Sequence, residues 1–263
     1  MINSKQQAII KKDIQGIVAN KRYFYMILLI PLLFSVVLPS VFVLIALLTP
    51  VSSNDFQQLL KTLPEQYQQG DLGIQIVQTI FNSVLPMFFL MIPIMTATVM
   101  AASSFVGEKE KNTLETLLYS PLSVKQIFQA KVYSSFVVSF GITLSSFVIM
   151  LLVVQAEVFF LRSTLLSLSV SWAYILLLLV PAITLVSITV IVKGSAKSQT
   201  MEEAQQRSGF LVMPLVLFMV GQFTGLFLIS PWAMLIAGVV LMGVAIVLLQ
   251  NSMQSFTYEM LLK

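Results

Sequence analysis

The 263-residue chain has no cysteine and no histidine. The first absence excludes disulfides and thiolate metal sites. The second removes the usual proton shuttle and the commonest metal ligand. Charge is scarce as well. Only 10% of residues are Asp, Glu, Lys or Arg, against ~25% in an average soluble domain, which excludes a soluble globule. Nowhere does a Gly-x-x-x-x-Gly-Lys-Ser/Thr phosphate loop occur, so the chain is not expected to bind ATP through one. What is present is apolar. A hydrophobic content of 57% and a mean hydropathy of +0.93 place the chain among integral membrane proteins. The pI of about 9.3 does not point to nucleic acid, because the basic residues lie beside apolar runs and suit anionic lipid headgroups.

A membrane-spanning helix needs roughly 20 mostly apolar residues. Six stretches qualify, at about 24–48, 81–106, 133–154, 168–192, 209–229 and 231–250, and none holds an Asp, Glu, Lys or Arg. The first is too long for the ~7–15-residue core of a signal peptide. Lysine and arginine fall unevenly between them. Thirteen lie before span one, between spans two and three, between four and five, or at the C-terminus; only Lys61 and Arg162 lie in the alternate loops. This asymmetry predicts both termini in the cytoplasm of a multi-pass protein of the cell membrane, the inner membrane in a bacterium. The outer loop at 49–80 is large enough for a lid. Ser53, Asn54 and Asp55 there suit the start of a short helix that Pro64 interrupts. Ser230-Pro231-Trp232 makes a tight hairpin with Trp232 as an interfacial anchor. Whether span five or six is partly re-entrant stays open.

Residues 1–22 form a separate element before the transmembrane domain at 23–263. Ser4 and Gln7 have capping-box spacing, and Ile10, Ile14, Ile17 and Val18 share one helical face with Lys11, Lys12 and Gln15 elsewhere. The pattern predicts a basic amphipathic helix along the inner membrane surface.

The most unusual stretch is 107–131. Asn112 and Glu115 have capping-box spacing, with Thr113 an alternative cap. Leu114, Leu117 and Leu118 then make an apolar stripe of two helical turns, stopped by Ser120-Pro121. Ser123 and Gln126 open the next helix, which runs into span three. A two-turn helix is marginal alone in water, so it needs a surface to dock on. Its charged edge of Glu108, Lys109, Glu110, Lys111 and Glu115 suits a cytosolic protein. A solvated loop that merely fixes topology requires lysines, not a cap, a stripe and a stop.

The run Gly107-Glu-Lys-Glu-Lys-Asn-Thr-Leu-Glu-Thr-Leu-Leu, with Ser120-Pro121-Leu-Ser and Ala130-Lys131 after it, resembles the first cytoplasmic loop of type-2 ABC transporter permeases. Residues 195–207 resemble the matching second loop of the sodium-export and antibiotic-export branch. The resemblance covers the leader and all six spans. It departs at Asn112, where many relatives carry Gly, and in shorter outer loops. It implies an all-α membrane fold of six spans with a coupling helix at 113–119, seated in a separate ATP-binding subunit. Glu108, Glu110, Thr113, Leu114, Glu115, Leu117 and Leu118 are the implied coupling positions. Two ATPase subunits and a second permease, identical or related, are implied as partners, with ATP and magnesium used only by the ATPase. No cofactor, catalytic residue or nucleic acid is expected of this chain. The substrate class that fits is an amphiphilic antibiotic, peptide or lipid-like molecule, with sodium efflux, or a non-transporting sensor or scaffold, as alternatives.

Inside the spans there is no ionisable residue, which argues against a self-powered proton antiporter. Ser135, Ser139, Thr143 and Ser146 share a face of span three, read either as close helix packing, which is favoured, or as a polar strip along a pathway. Gly221 and Gly225 form a GxxxG pair suited to a helix contact. Met87, Met91 and Met95 stripe span two as core or lipid contact. Pro31, Pro39, Pro86, Pro93, Pro181 and Pro214 are expected to kink their spans.

Overall fold

The structure, a computed structural model, describes residues 4–48, 72–110, 113, 120–195, 198, 200–223 and 231–255. Among these all regular structure is helical. Helix α1 covers Ser4–Ala19. Five helices are long and apolar enough to cross a membrane: α2 (Tyr23–Leu48), α3 (Gly73–Glu110), α4 (Val124–Arg162), α5 (Ser171–Ser195) and, last in the chain, α8 (Trp232–Gln254). Between the last two lie α6 (Met201–Ser208) and α7 (Val212–Phe223), the latter entered through a 3₁₀ turn at Gly209–Leu211. The stretch expected to be span five is therefore helical from its start to Phe223, and its remainder lies outside the described residues, as does the expected capped helix near Ser53.

The helices outrun the apolar stretches that announce them. At ~1.5 Å per residue, the 39 residues of α4 reach about 58 Å, nearly twice the ~30 Å hydrocarbon core of a bilayer. Its start is set locally: the Ser123 side chain accepts from the Gln126 N–H at 3.3 Å, and the Gln126 side chain accepts from the Ser123 N–H at 3.0 Å. This is the expected capping box. Its end is a left-handed Ser163, φ 52°, whose N–H bonds back to Phe159. Helix α3 begins at Gly73, eight residues before the apolar run of span two, and α4 carries Glu157 and Arg162, which hydropathy assigns to a loop. Arg162 donates to the Leu47 carbonyl at 3.1 Å, satisfying an acceptor at the end of α2.

Proline explains the main irregularities. A proline at position i has no N–H and its ring clashes with the carbonyl at i−4. For Pro39, Pro86 and Pro181 that carbonyl belongs to Ser35, Asn82 and Leu177. Each is the middle residue of a five-residue π-helical turn, at Leu33–Val37, Ile80–Val84 and Ile175–Leu179. The helix widens where the ring would collide. Pro93 follows the same rule, since its i−4 residue Phe89 ends a helical segment and Leu90 is a turn. Pro31 sits in regular helix, and Pro214 lies in the first turn of α7, where the missing N–H costs nothing.

Helix α3 is the central element. Its Ala97, Met100, Ala101, Ala102 and Val106 pack with Ile188 and Ile191 of α5 and Phe128 of α4. Small residues here let the backbones approach closely. Nearer the other end of the bundle, Trp172 is buried among Phe81, Phe89 and Phe147, with ring centroids 5.1–5.6 Å away. Met87 lies in this core with Met91 against it, as the methionine stripe suggests. Outward faces of α2, α4 and α8 carry Leu29, Val37, Val148, Leu152, Val240 and Val247, the apolar surface expected of lipid-facing helices. Trp232, 71% exposed, opens α8 in the manner of an interfacial anchor.

A clasp orders the strap between α4 and α5. Gln155 exchanges both its hydrogen bonds with the Leu166 backbone (2.8 and 2.9 Å), and Gln78 does the same with Ser167 (2.5 and 3.1 Å). Asn82 accepts from the Ser169 N–H at 2.9 Å and donates to the Ser167 carbonyl at 3.1 Å. Three side-chain amides thus satisfy backbone groups that have no helix to satisfy them.

Candidate functional site

The charged loop leaves α3 and re-enters at α4, and α1 lies beside both junctions. Gln6 donates to the Gln126 carbonyl at 3.2 Å, and Ser134 donates to Asp13 at 3.2 Å. Seven residues along α1 therefore match eight along α4, so the two helices run side by side in the same direction. The inward face of α1 is Gln6, Ile9, Asp13 and Ile17, with Ile10 and Ile14 half-buried at its edge. Of the expected stripe of Ile10, Ile14, Ile17 and Val18, only Ile17 is fully buried among the described side chains, and Val18 lies outside them. The face rotates because an acid, Asp13, finds partners inside.

Those partners are hydroxyls, and a pair of lysines holds a second acid beside them. The Asp13 carboxylate accepts from Ser104 Oγ of α3 at 2.5 Å as well as from Ser134. Lys12 pairs with Glu108 at 2.7 Å, and Lys131 pairs with the same Glu108 oxygen at 3.3 Å. Lys131 also donates to the Ser104 carbonyl and lies 5.5 Å from the centre of the Phe105 ring. Asp13, Glu108 and Lys131 are all buried, whereas the Lys12 side chain is 57% exposed. Two acids and two lysines leave the cluster formally neutral. This is the condition under which charges are tolerated in a low-dielectric interior. The second Glu108 oxygen has no hydrogen-bond partner among the described residues.

The second half of the site ties two loops together. Glu110 accepts from the Met201 N–H at 3.2 Å, one of the donors a helix N-terminus leaves unpaired, and its negative charge suits that end of the α6 dipole. Thr200 caps α6 through the Glu203 N–H at 3.2 Å. Met201 is buried against Gly107, where an added Cβ would stand 3.1 Å from its sulfur. Gly107→Leu is expected to displace Met201 and destabilise the protein by about 1–3 kcal/mol. Met201→Ala in the same chain should recover part of the loss in a thermal unfolding assay; no recovery would show that the clash lies elsewhere.

Thr113 turns the chain back onto α3, its N–H bonding to the Glu108 carbonyl at 2.9 Å and its hydroxyl to the same oxygen at 3.3 Å. The five-residue spacing of the first bond is that of a Schellman-type helix end. Of the sequence-derived coupling positions, the structure brings Glu108, Glu110 and Thr113 together at the end of α3. Glu108 faces the protein interior and not the exposed edge expected of it. Leu114, Glu115, Leu117 and Leu118 lie outside the described residues. Ser135, Ser139, Thr143 and Ser146 are all buried in the bundle. Thr143 and Ser146 donate to their own helix at 2.7 and 2.8 Å, while the Ser135 and Ser139 hydroxyls have no partner among the described residues. Gly221 falls within α7, and Gly225 lies outside the described residues.

Asp13, Ser104 and Ser134 were missed by sequence reasoning, and Lys131 was read only as a topology signal and part of a motif. One clue was available for the first: an acid three to four residues from Ile9, Ile10 and Ile17 sits on the apolar face of an otherwise basic helix. A carboxylate there is either misplaced or paired.

A sequence model of the family described as ABC-2 family transporter protein matches residues 7–229, which hold most of α1, all of α2 through α7, and the clamp formed by Lys12, Glu108 and Lys131. No individual curated protein matches the chain significantly. Since the family match covers far more than half of the sequence and the chain is a multi-pass, all-helical membrane protein, it belongs to the ABC-2 transporter family as the membrane-embedded permease of an ABC transporter.

Proposed function

We propose that this permease couples ATP hydrolysis in a separate ATP-binding subunit to the export of an amphiphilic antibiotic, peptide or lipid-like molecule, with the 113–119 segment seated on the ATPase. The observation that carries the reading is the clamp. Both ends of the charged loop are fixed, at Glu108 between Lys12 and Lys131 and at the Ser123 capping box. A displacement of the segment between them therefore acts on α3 and α4 together. Two permeases and two ATPases complete the assembly, with the charged loops and both termini on the cytoplasmic side, where the basic residues concentrate. An amphiphilic cargo suits spans whose charged residues are confined to their ends. ATP and magnesium belong to the partner subunit.

The test is Leu117→Asp. A charge on the apolar stripe should abolish co-purification of the ATPase or its stimulation by the permease, with helix content and membrane insertion unchanged. In liposomes, ATP-dependent movement of cargo should disappear with it. A Leu117→Asp complex that still assembles and transports would refute the docking role, and an assembled complex that binds cargo without moving it would favour a sensor.

A further inference from the structure

On the face of α1 adjoining the clamp, a groove of about 370 Å³ opens between α1 and α4, lined by Gln7, Ile10, Lys11, Ile14, Gln15 and Tyr133. Its height is set by the outward face of α4. Lys125, Gln129, Tyr133 and Val137 follow one another at four-residue spacing and are all exposed. The face changes from polar to apolar at Tyr133, a residue type that settles at membrane–water boundaries. On the α1 side the groove is rimmed by the Gln7 and Gln15 amides and the Lys11 ammonium, which makes no ion pair among the described residues. Its floor is the apolar edge of Ile10 and Ile14. One cation, two amides and an apolar floor at the boundary match the parts of one molecule: the phosphate, the glycerol ester region and the first methylenes of a lipid. A groove of this size takes a headgroup and the start of one acyl chain, not a whole lipid.

We infer that this groove binds an anionic phospholipid, with its phosphate at Lys11 and an acyl chain leaving past Tyr133 along the apolar face of α4. The site is built on the helix whose neighbouring face holds Glu108 through Lys12. A bound lipid therefore fixes the position of α1 against the root of the charged loop. The inference rests on the membrane placement of α4 and not on what the protein transports.

Native mass spectrometry of the purified chain, with any ATP-binding subunit that stays attached, measures the binding of phosphatidylglycerol and phosphatidylcholine. Phosphatidylglycerol should bind the more tightly. Lys11→Gln should weaken it about five-fold, the ~1 kcal/mol one lysine contributes beside an anionic membrane surface, and leave phosphatidylcholine unchanged. Ile14→Trp, which fills the groove, should weaken both lipids, and Lys21→Gln, outside the groove, should weaken neither. Equal losses from Lys11→Gln and Lys21→Gln would reduce the effect to diffuse attraction and overturn the site. So would an Ile14→Trp protein with undiminished binding. Competition by glycerol 3-phosphate as effective as that by the intact lipid would show that a free anion, not a lipid, is recognised. Circular dichroism of each variant identifies any that fails to fold, and the exposed Lys11→Gln alone then decides the matter.

Discussion

Lys131→Met is expected to destabilise the permease by roughly 3–5 kcal/mol, because it leaves the Glu108 carboxylate buried beside one half-exposed lysine. Glu108→Leu should cost a similar amount for the converse reason, stranding the Lys131 ammonium near Ser104 and Phe105. The double variant is the informative one. A buried ion pair replaced on both sides by apolar groups of similar size is commonly neutral or stabilising, since the desolvation of both charges is removed along with their attraction. Lys12 can turn to water once Glu108 is gone. Glu108→Leu/Lys131→Met should therefore regain most of the lost stability, with an interaction energy of about 2 kcal/mol or more in a double-mutant cycle. Additive losses would mean that the two groups do not depend on each other.

That variant also separates stability from coupling. If the clamp transmits movement from the charged loop, the double variant should fold and insert but show weaker stimulation of its ATPase, because an apolar contact holds α1 less specifically than a directed ion pair. Wild-type coupling in a stable double variant would assign the clamp to folding alone.

Trp172→Ala should cost ~3–5 kcal/mol, the range for truncating a large buried aromatic. Trp172 is 1% exposed, and its three ring neighbours reach it from both α3 and α4. Phe81 lies within the π turn of α3, and Trp172 precedes the π turn of α5 by three residues. The indole thus fills the space between two widened helical segments. Trp172→Phe should be far milder. The indole N–H has no hydrogen-bond partner among the described residues, so removing it eliminates a buried unsatisfied donor and offsets the lost ring area. Chemical unfolding followed by circular dichroism gives both values. Fluorescence supplies an independent check, because the chain's only other tryptophan is the exposed Trp232. Trp172→Phe should remove the blue-shifted, buried component of the emission. A large loss in Trp172→Phe would mean that the indole N–H is satisfied by a bound group.

The positions of five long apolar helices, the start of α4 and the irregularities before Pro39, Pro86 and Pro181 were legible because each follows from a few neighbouring residues. Hydropathy sums over a short window, the Ser123–Gln126 cap spans one turn, and a proline acts on the carbonyl four residues before it. The ends of the helices were not legible. Gly73–Ile80 and Glu157–Arg162 are helical although polar residues interrupt them, because tertiary packing and the amide clasp outweigh the local preference. Within 107–131 the run of charges placed Glu108 on an exposed edge, whereas it is buried between Lys12 and Lys131.

By itself, then, the sequence determined that this chain is a multi-pass membrane protein, where five of its long apolar helices lie, and that a charged loop joins two of them. Tertiary structure alone decided what that loop is anchored to. Asp13 meets Ser104 across 91 residues and Ser134 across 121, and Lys12 meets Glu108 across 96. No window of sequence contains those pairs. Burial supplies the reason they form: once α1 packs between α3 and α4, each charge loses its water and must take the partner that the fold brings within reach.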